Sequence, residues 1–188
     1  MARWEPDSRG RLRQAALDLY GERGFEATTV AEIARRAGLT ERTFFRHFAD
    51  KREVLFAGSE ALQEALVRAV ADAPADAAPL DAVAAGLEAA GAQLPQRRAS
   101  ARQRQAIIAA NAELQERELI KFASLSTALA EALRGRGVED PTASIAAEVG
   151  TAVFRVAFER WIDAANERDF AALVRDSLDE LRAVTASA

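Results

Sequence analysis

The sequence contains no cysteine and only one histidine, His47. Without cysteine the chain cannot form disulfides, thiolate zinc sites or a cysteine nucleophile. A lone histidine makes no metal site by itself, and no acidic cluster surrounds His47 at ligand spacing. We therefore predict no metal and no cofactor. The sequence also lacks a nucleophile elbow, a phosphate-binding loop and paired carboxylates with an identifiable role, which argues against an enzyme.

Long hydrophobic runs are missing as well. No apolar stretch approaches the roughly 20 residues that cross a bilayer, and the polar first ten residues lack the apolar region of a signal peptide. We therefore expect a cytoplasmic protein with no membrane partner. Of the 188 residues 49% are hydrophobic, so a core can form without disulfide or metal cross-links.

The charge is distributed unevenly along the chain. The overall net charge is −4, yet residues 1–52 hold 11 Lys and Arg against 8 Asp and Glu, a net of +3, which leaves −7 on the remainder. A basic segment on an acidic body is typical of a protein that contacts phosphates at one end only.

The hydrophobic pattern is helical throughout, with few helix breakers and no strand-like alternation between hairpin turns. We predict an all-α fold of about nine helices, in which a three-helix helix-turn-helix domain over residues 1–50 precedes a helical bundle over 51–188. The predicted helices cover 9–22, 30–37, 41–48, 51–73, 80–94, a stretch after Pro95 to 110, 113–133, 141–165 and 169–184. Asp50 is the predicted cap of the fourth helix, which begins at Lys51.

Residues 29–48 have the pattern of a helix-turn-helix. Thr29 and Glu32 form a capping box at the start of the second helix, and Thr40 can cap the third. Ala34 is small enough for close helix contact, and Gly38 suits the positive-φ turn between the two helices. The apolar side chains at Ile33, Leu39, Phe44 and Phe48 are the predicted core. The remaining positions of the third helix face outward or sideways: Glu41, Arg42, Thr43, Phe45, Arg46 and His47.

The stretch from Phe25 to Phe48, followed by Lys51 and Leu55-Phe56, resembles the DNA-binding domain of TetR-family regulators over about residues 9–56. The Asn111-Ala112-Glu113-Leu114 and Phe158-Glu159-Arg160-Trp161 stretches are similar to a branch that binds acyl-CoA-like ligands. The resemblance implies a ligand-responsive, sequence-specific repressor that acts as a homodimer on a palindromic operator in double-stranded DNA. It also implies a small hydrophobic or acyl-type ligand in the C-terminal domain.

The resemblance assigns DNA contacts residue by residue. The implied DNA-binding residues are Thr29, Thr40, Arg42, Thr43, Phe45, Arg46, His47 and Lys51. Phe45 departs from the family, which often has tyrosine there with a hydroxyl that reaches a phosphate. Phenylalanine cannot make that hydrogen bond, and a thymine methyl or a sugar is its alternative contact.

The C-terminal half carries weaker signals. The predicted pocket residues are Leu62, Leu66, Leu87, Arg104, Ile107, Phe122, Leu125, Phe154 and Phe158, although the sequence cannot separate a pocket from an ordinary core. The basic run of Arg97, Arg98, Arg102 and Arg104 fits a solvated helix face, or an inward turn of one or two of them toward an anionic ligand.

The eighth helix has two apolar stripes, one through Ile145, Val149, Ala152 and Val156, which suggests a second subunit as one of its two partners. A helix at the centre of a monomeric bundle is the alternative. The predicted dimer interface comprises Val149, Val153, Val156, Arg160, Phe170, Val174, Leu178 and Leu181.

Two other functions remain open at this point. The regulator could respond to a protein partner, in which case its C-terminal domain would have an exposed apolar patch and no cavity. It could also activate transcription, since the sequence does not determine the sign of regulation.

Overall fold

The computed structural model describes residues 7–91 and 98–186. Within these ranges it contains nine α-helices and no strand, which confirms the predicted all-α fold. The helices are α1 (Ser8–Arg23), α2 (Val30–Arg36), α3 (Glu41–His47), α4 (Ser59–Ala71), α5 (Pro79–Gly91), α6 (Arg98–Ala109), α7 (Ala112–Gly135), α8 (Thr142–Ile162) and α9 (Phe170–Ala186). The predicted end of the fifth helix at Leu94 and the bend at Pro95 lie outside the described residues. None of the described helices combines the length and the apolar character that a bilayer span requires.

The chain forms two compact units. The first comprises residues 1–58 and 100–118, and the second comprises 59–99 and 119–188. The segment 100–118 thus belongs to the same unit as α1–α3, because Ile107, Ile108 and Leu114 share one hydrophobic cluster with the buried side chains of the N-terminal helices. Residues distant in sequence therefore complete the core of the helix-turn-helix unit.

Local signals in the sequence account for the geometry of α1–α3. The capping box at the start of α2 is present: the Thr29 side chain accepts a hydrogen bond from the Glu32 N–H, and the Glu32 carboxylate accepts from the Thr29 N–H at 2.9 Å. Gly38 takes φ +67° in the turn between α2 and α3, a backbone conformation that residues with a Cβ rarely adopt. Ile33 and Phe44 are fully buried, so both short helices are anchored from within.

The predicted start of the fourth helix at Lys51 is wrong. Residues 51–58 form successive turns, in which Leu55 N–H donates to the Arg52 carbonyl at 3.0 Å, and α4 begins at Ser59. Asp50 does act as a cap, but of this turn segment, through hydrogen bonds from Arg52 and Glu53 N–H. Three consecutive side chains at 54–56 are buried, which one face of a helix cannot achieve, and Gly58 at φ +95° separates the turns from α4.

The second unit is built on the inner stripe of α8. Gly150, Phe154, Ala157 and Trp161 are buried there, and Phe154 lies between the rings of Phe122, Phe158 and Phe170. Gly150 brings α8 against α5, since a Cβ at this position would collide with Val83. The α9 helix packs its apolar face on α5 and α8.

Candidate nucleic-acid interface

A capping hydrogen bond and buried aromatic side chains fix the position of the α3 helix. Thr40 caps its N-terminus by accepting from the Thr43 N–H at 3.2 Å. Phe44 is completely buried, and Phe48 at the C-terminal end is 4% exposed. A short helix with a fixed backbone can present its outer side chains in a constant arrangement, which recognition of a rigid partner requires.

The outer face of α3 carries two arginines and a phenylalanine. Arg42, Phe45 and Arg46 are all exposed, whereas Thr43 is half-buried. Neither guanidinium forms a hydrogen bond or an ion pair with any residue in the part of the chain that the structure describes. We call Arg42, Phe45 and Arg46 the outer triad; its two cations are available for an anionic partner.

Arg9 adds a further cation beside α3. Its guanidinium lies 5.6 Å from the centre of the Phe48 ring, and its charge, with that of Arg46, contributes to lowering the pKa of His47. The helix-turn-helix pattern gives no sign of Arg9, because the residue lies at the start of α1; only its membership of the basic N-terminal segment could have indicated it.

His47 is half-buried between α3 and its surroundings. Burial lowers the pKa of its imidazole, and the charges of Arg46 and Arg9 lower it further. Its Nε2 atom is buried and has no hydrogen-bond partner among the described residues. The lowered pKa disfavours the charged form of the ring, and the phosphate contact of His47 stays a prediction.

Lys51 points toward the backbone of the first unit. Its Nζ donates to the carbonyls of Phe25, Glu26 and Thr28 at 2.9, 3.2 and 3.0 Å, and lies 4.4 Å from the centre of the Phe25 ring. All three N–H donors of the ammonium are therefore used. Sequence reasoning missed this role, because nothing in the spacing indicates that the α1–α2 loop turns three carbonyls toward residue 51. The phosphate contact of Lys51 stays a prediction.

Two of the predicted pocket residues, Arg104 and Ile107, lie in the first unit, whereas the other seven lie in the second. Ile107 is part of the hydrophobic cluster of the first unit. Arg104 donates from Nε to the Leu55 carbonyl at 2.6 Å, pairs with Glu118 at 3.1 Å and lies over the Phe56 ring. Contact of these two residues with a ligand stays a prediction.

The remaining predicted pocket residues are core or near-core side chains. Leu66, Leu87, Leu125 and Phe154 are buried, and Leu62, Phe122 and Phe158 are half-buried. One depression of about 240 Å³ lies between α7 and α8, and Phe122 is the predicted residue that lines it. Its other lining residues are Leu119, Ala123, Glu148, Thr151, Ala152 and Arg155.

The predicted dimer interface divides into buried and accessible residues. Val153, Phe170, Val174 and Leu178 are at most 5% exposed in the single chain, because α9 places its apolar face against α5 and α8. Arg160 pairs with Glu180 of its own chain at 3.3 Å. Val149 and Leu181 are half-buried and Val156 is 41% exposed. The outer stripe of α8, through Ile145, Val149, Ala152 and Val156, thus remains accessible.

Two known protein families match the N-terminal and the C-terminal parts of the chain. The family described as bacterial regulatory proteins, tetR family, matches residues 12–57, and the MftR C-terminal domain matches residues 77–186. The regulator TcmR of Streptomyces glaucescens is 40% identical over 82 residues, which is 44% of this chain and 36% of TcmR. The repressor KstR2 of Mycobacterium tuberculosis is 43% identical over 47 residues, 25% of this chain and 24% of KstR2. The chain thus matches about a third or less of these relatives' own lengths.

Solved structures share the fold over nearly the whole chain. The Thermus thermophilus repressor FadR, solved with lauroyl-CoA, is 24% identical with a TM-score of 0.53 and covers 92% of both chains. Members of the matched families are DNA-binding transcription regulators and not enzymes, which agrees with the prediction from the sequence. Because one family covers more than half of the sequence and the second covers the helix-turn-helix, the chain belongs to the TetR family of bacterial regulatory proteins, with a C-terminal domain of the MftR type.

Proposed function

We propose that this protein is a ligand-responsive repressor that binds an inverted-repeat operator as a homodimer. The observation that carries the proposal is the outer triad: two unpaired arginines and an exposed ring stand on a helix that Phe44 and Thr40 hold in place. Such a helix fits the major groove, where its N-terminal residues meet base edges. The proposed setting is the cytoplasm, where a bacterial chromosome lies.

The proposed DNA contacts fall into two kinds. Arg42 and Thr43 near the N-terminus of α3 would contact base edges, and Arg46 with His47 would contact phosphates. Thr29 and Thr40 cap α2 and α3. In this proposal both lie near the sugar-phosphate backbone of the DNA, where the free N–H groups of the first helical turns can donate to a phosphate. Lys51 would reach a phosphate only by giving up one of its three hydrogen bonds to backbone carbonyls. In this proposal residues 1–50 bind DNA, and 51–188 bind ligand and dimerise.

The accessible stripe of α8 supports the proposed homodimer. Ile145 is 58% and Val156 is 41% exposed, and both lie on the side of α8 opposite the buried Gly150–Trp161 stripe. A second copy of this stripe would remove both from water. Two-fold symmetry would then set two α3 helices about one DNA turn or a multiple apart, which requires an inverted repeat.

The proposed ligand is small and apolar or acyl-like. FadR of Thermus thermophilus was solved with lauroyl-CoA, and this chain shares its fold. The aromatic rings around Phe154 already pack against one another, at 5.6–6.1 Å between centres. A ligand among them would have to separate these rings and would thereby favour a different conformation of the unit. Repression would end because the ligand binds that conformation more tightly than the DNA-binding one.

The test is fluorescence anisotropy with DNA from upstream of the protein's own gene, beside a scrambled duplex and across a salt series. We expect tight binding to the upstream DNA alone, at two subunits or a multiple per site, with an affinity that falls steeply with salt. The Arg42→Ala variant should bind the upstream DNA at least about tenfold more weakly, because a specific base contact is lost in both half-sites.

The matched control is Arg68→Ala, which removes an exposed arginine of α4 from the second unit and should leave DNA affinity unchanged. Equal, weak binding to both duplexes and to selected genomic fragments would refute sequence-specific binding. A monomer by light scattering at micromolar concentration would refute the dimer, and dissociation by a protein extract but by no small molecule would point to a protein partner as effector.

A further inference from the structure

Phe45 is a large apolar side chain that the fold holds out in water. It is 56% exposed, although its neighbour Phe44 is fully buried. The two rings meet edge to face, with centres 5.5 Å apart and planes at 83°. Phe44 thus supports one side of the Phe45 ring and leaves the other side open. An exposed phenylalanine contributes little to folding, and what distinguishes Phe45 is its place between two exposed arginines on α3.

The charges beside Phe45 restrict what can cover it. Arg42 lies three residues earlier on the same helix surface and Arg46 follows directly, and both are exposed and unpaired among the described residues. An apolar protein surface would have to bury two cations without counterions, which is costly. A polyanion with apolar groups set between its charges matches all three side chains at once.

The major groove of DNA has this combination. Phosphates line both edges of the groove, and the thymine 5-methyl is the apolar group among the base edges on its floor. Phenylalanine has no donor for a phosphate oxygen or a base acceptor. Its ring edge can still exclude water from a methyl group, and dispersion and the hydrophobic effect favour that contact.

We propose that Phe45 is a specificity-determining residue that recognises a thymine methyl group in each half-site of the operator. The inference rests on the proposed function, because it needs α3 to enter the major groove. It adds a base preference that the Arg42 guanidinium does not supply, since hydrogen-bond donors cannot distinguish thymine from uracil. The symmetric operator would contain this thymine twice.

The experiment uses the full chain and a pool of duplexes with a randomised central segment. Wild-type protein selects a binding site from the pool, and each thymine in the selected duplex is then replaced singly by uracil, which removes only the 5-methyl group. We expect one symmetry-related pair of positions at which wild-type affinity falls about fourfold per methyl, the value for burial of one methylene-sized group. The Phe45→Ala variant should bind the thymine and uracil duplexes equally.

Two further variants separate the ring from the rest of the surface. Ile120→Ala is the matched control, because Ile120 is equally exposed at 55% but lies on α7 in the second unit; it should keep the full thymine preference. Phe45→Tyr retains the ring and should keep most of the preference. Circular dichroism of each variant confirms that the helices are intact.

The outcomes distinguish this inference from the proposed function. Selection of a site by the wild-type protein with no thymine preference at any position overturns the role of Phe45 and leaves the repressor proposal standing. Equal weakening of every duplex by Phe45→Ala, with the thymine preference retained, also overturns it and assigns the ring to a sugar contact. Failure of the wild-type protein to select any site overturns both proposals.

Discussion

The first unit contains two sets of basic side chains that differ in what surrounds them. Arg42 and Arg46 on α3 stand exposed without partners among the described residues, whereas Lys51 and Arg104 are directed inward and are fully engaged. A count of charges treats both sets alike. Only the first can neutralise phosphates without breaking contacts of the protein, so the availability of a cation, and not its presence, marks the candidate interface.

The inward set stabilises irregular backbone. Lys51 supplies donors to three carbonyls in the α1–α2 loop, and Arg104 supplies one to Leu55 in the turn segment 51–58. Neither segment is helical at these carbonyls, so their acceptors have no partner in a regular ladder. Burial lowers the pKa of Arg104, while the carboxylate of Glu118 opposes that shift. These cations act as internal capping groups.

The largest expected effect is that of Arg104→Met. The substitution would leave the Leu55 carbonyl and the Glu118 carboxylate without the guanidinium. The side chains of Arg104 and Glu118 are only 18% and 15% exposed. Loss of one partner from a buried ion pair costs several kcal/mol, so we expect the free energy of unfolding to fall by about 3 kcal/mol. Urea denaturation followed by circular dichroism measures the change. Arg155→Met, at an exposed position of α8, is the control and should stay within about 0.5 kcal/mol of wild type.

A stability loss for Arg104→Met no larger than that of the control would contradict this account. It would mean that the guanidinium is dispensable inside the first unit, and the distinction between inward and outward cations would lose its energetic basis.

A direct contrast between the two sets comes from Lys51→Met and Arg46→Met. Lys51→Met should lower the free energy of unfolding by about 1–2 kcal/mol, because three backbone carbonyls lose a charged donor. It should leave the salt dependence of DNA binding unchanged. Arg46→Met should keep stability within about 0.5 kcal/mol and reduce the slope of log affinity against log salt by about one per subunit. Denaturation and a salt series of anisotropy titrations measure the two quantities.

The reverse pattern would be equally informative. A reduced salt slope with unchanged stability for Lys51→Met would show that its ammonium leaves the carbonyls to bind a phosphate, as the family resemblance implies, and that its contacts in the free protein are weak.

The sequence predicts α1–α3 well because their signals are local. The capping box of Thr29 and Glu32 and the glycine turn at Gly38 lie within a few residues of the geometry they determine. The inward direction of Lys51 and the unit membership of Arg104 depend on contacts 23 to 49 residues away in sequence, which no local pattern encodes. The predicted start of α4 is wrong for a related reason. Side chains 54–56 are all buried by residues from elsewhere in the unit, and this burial overrides the helical pattern.

The C-terminal unit is harder to predict for a different reason. Alanine is abundant there and belongs equally well to a buried or an exposed face, so apolar stripes are indistinct. The sequence predicts that the α9 stripe faces a second subunit. Phe170, Val174 and Leu178 are at most 4% exposed in the single chain, and the interface itself stays a prediction. Periodicity identifies an apolar face, but it does not say whether that face contacts the same chain or another one.

The smallest expected effect concerns the one histidine. Burial, with the charges of Arg46 and Arg9, lowers the pKa of His47 in the folded protein below its ordinary value of 6.5. As pH falls below about 6.5, the unfolded chain takes up a proton that the folded protein does not, so stability is complete above that pH and declines toward the folded pKa. Wild type should therefore lose more thermal stability between pH 7 and pH 5 than His47→Gln, by less than about 2 °C in Tm. All other titrating groups are common to both proteins, so the difference isolates His47. Parallel Tm curves would mean that the ring is as accessible to protons in the folded protein as in the unfolded chain, and α3 would then be less firmly packed at its C-terminal end than the burial of Phe48 indicates.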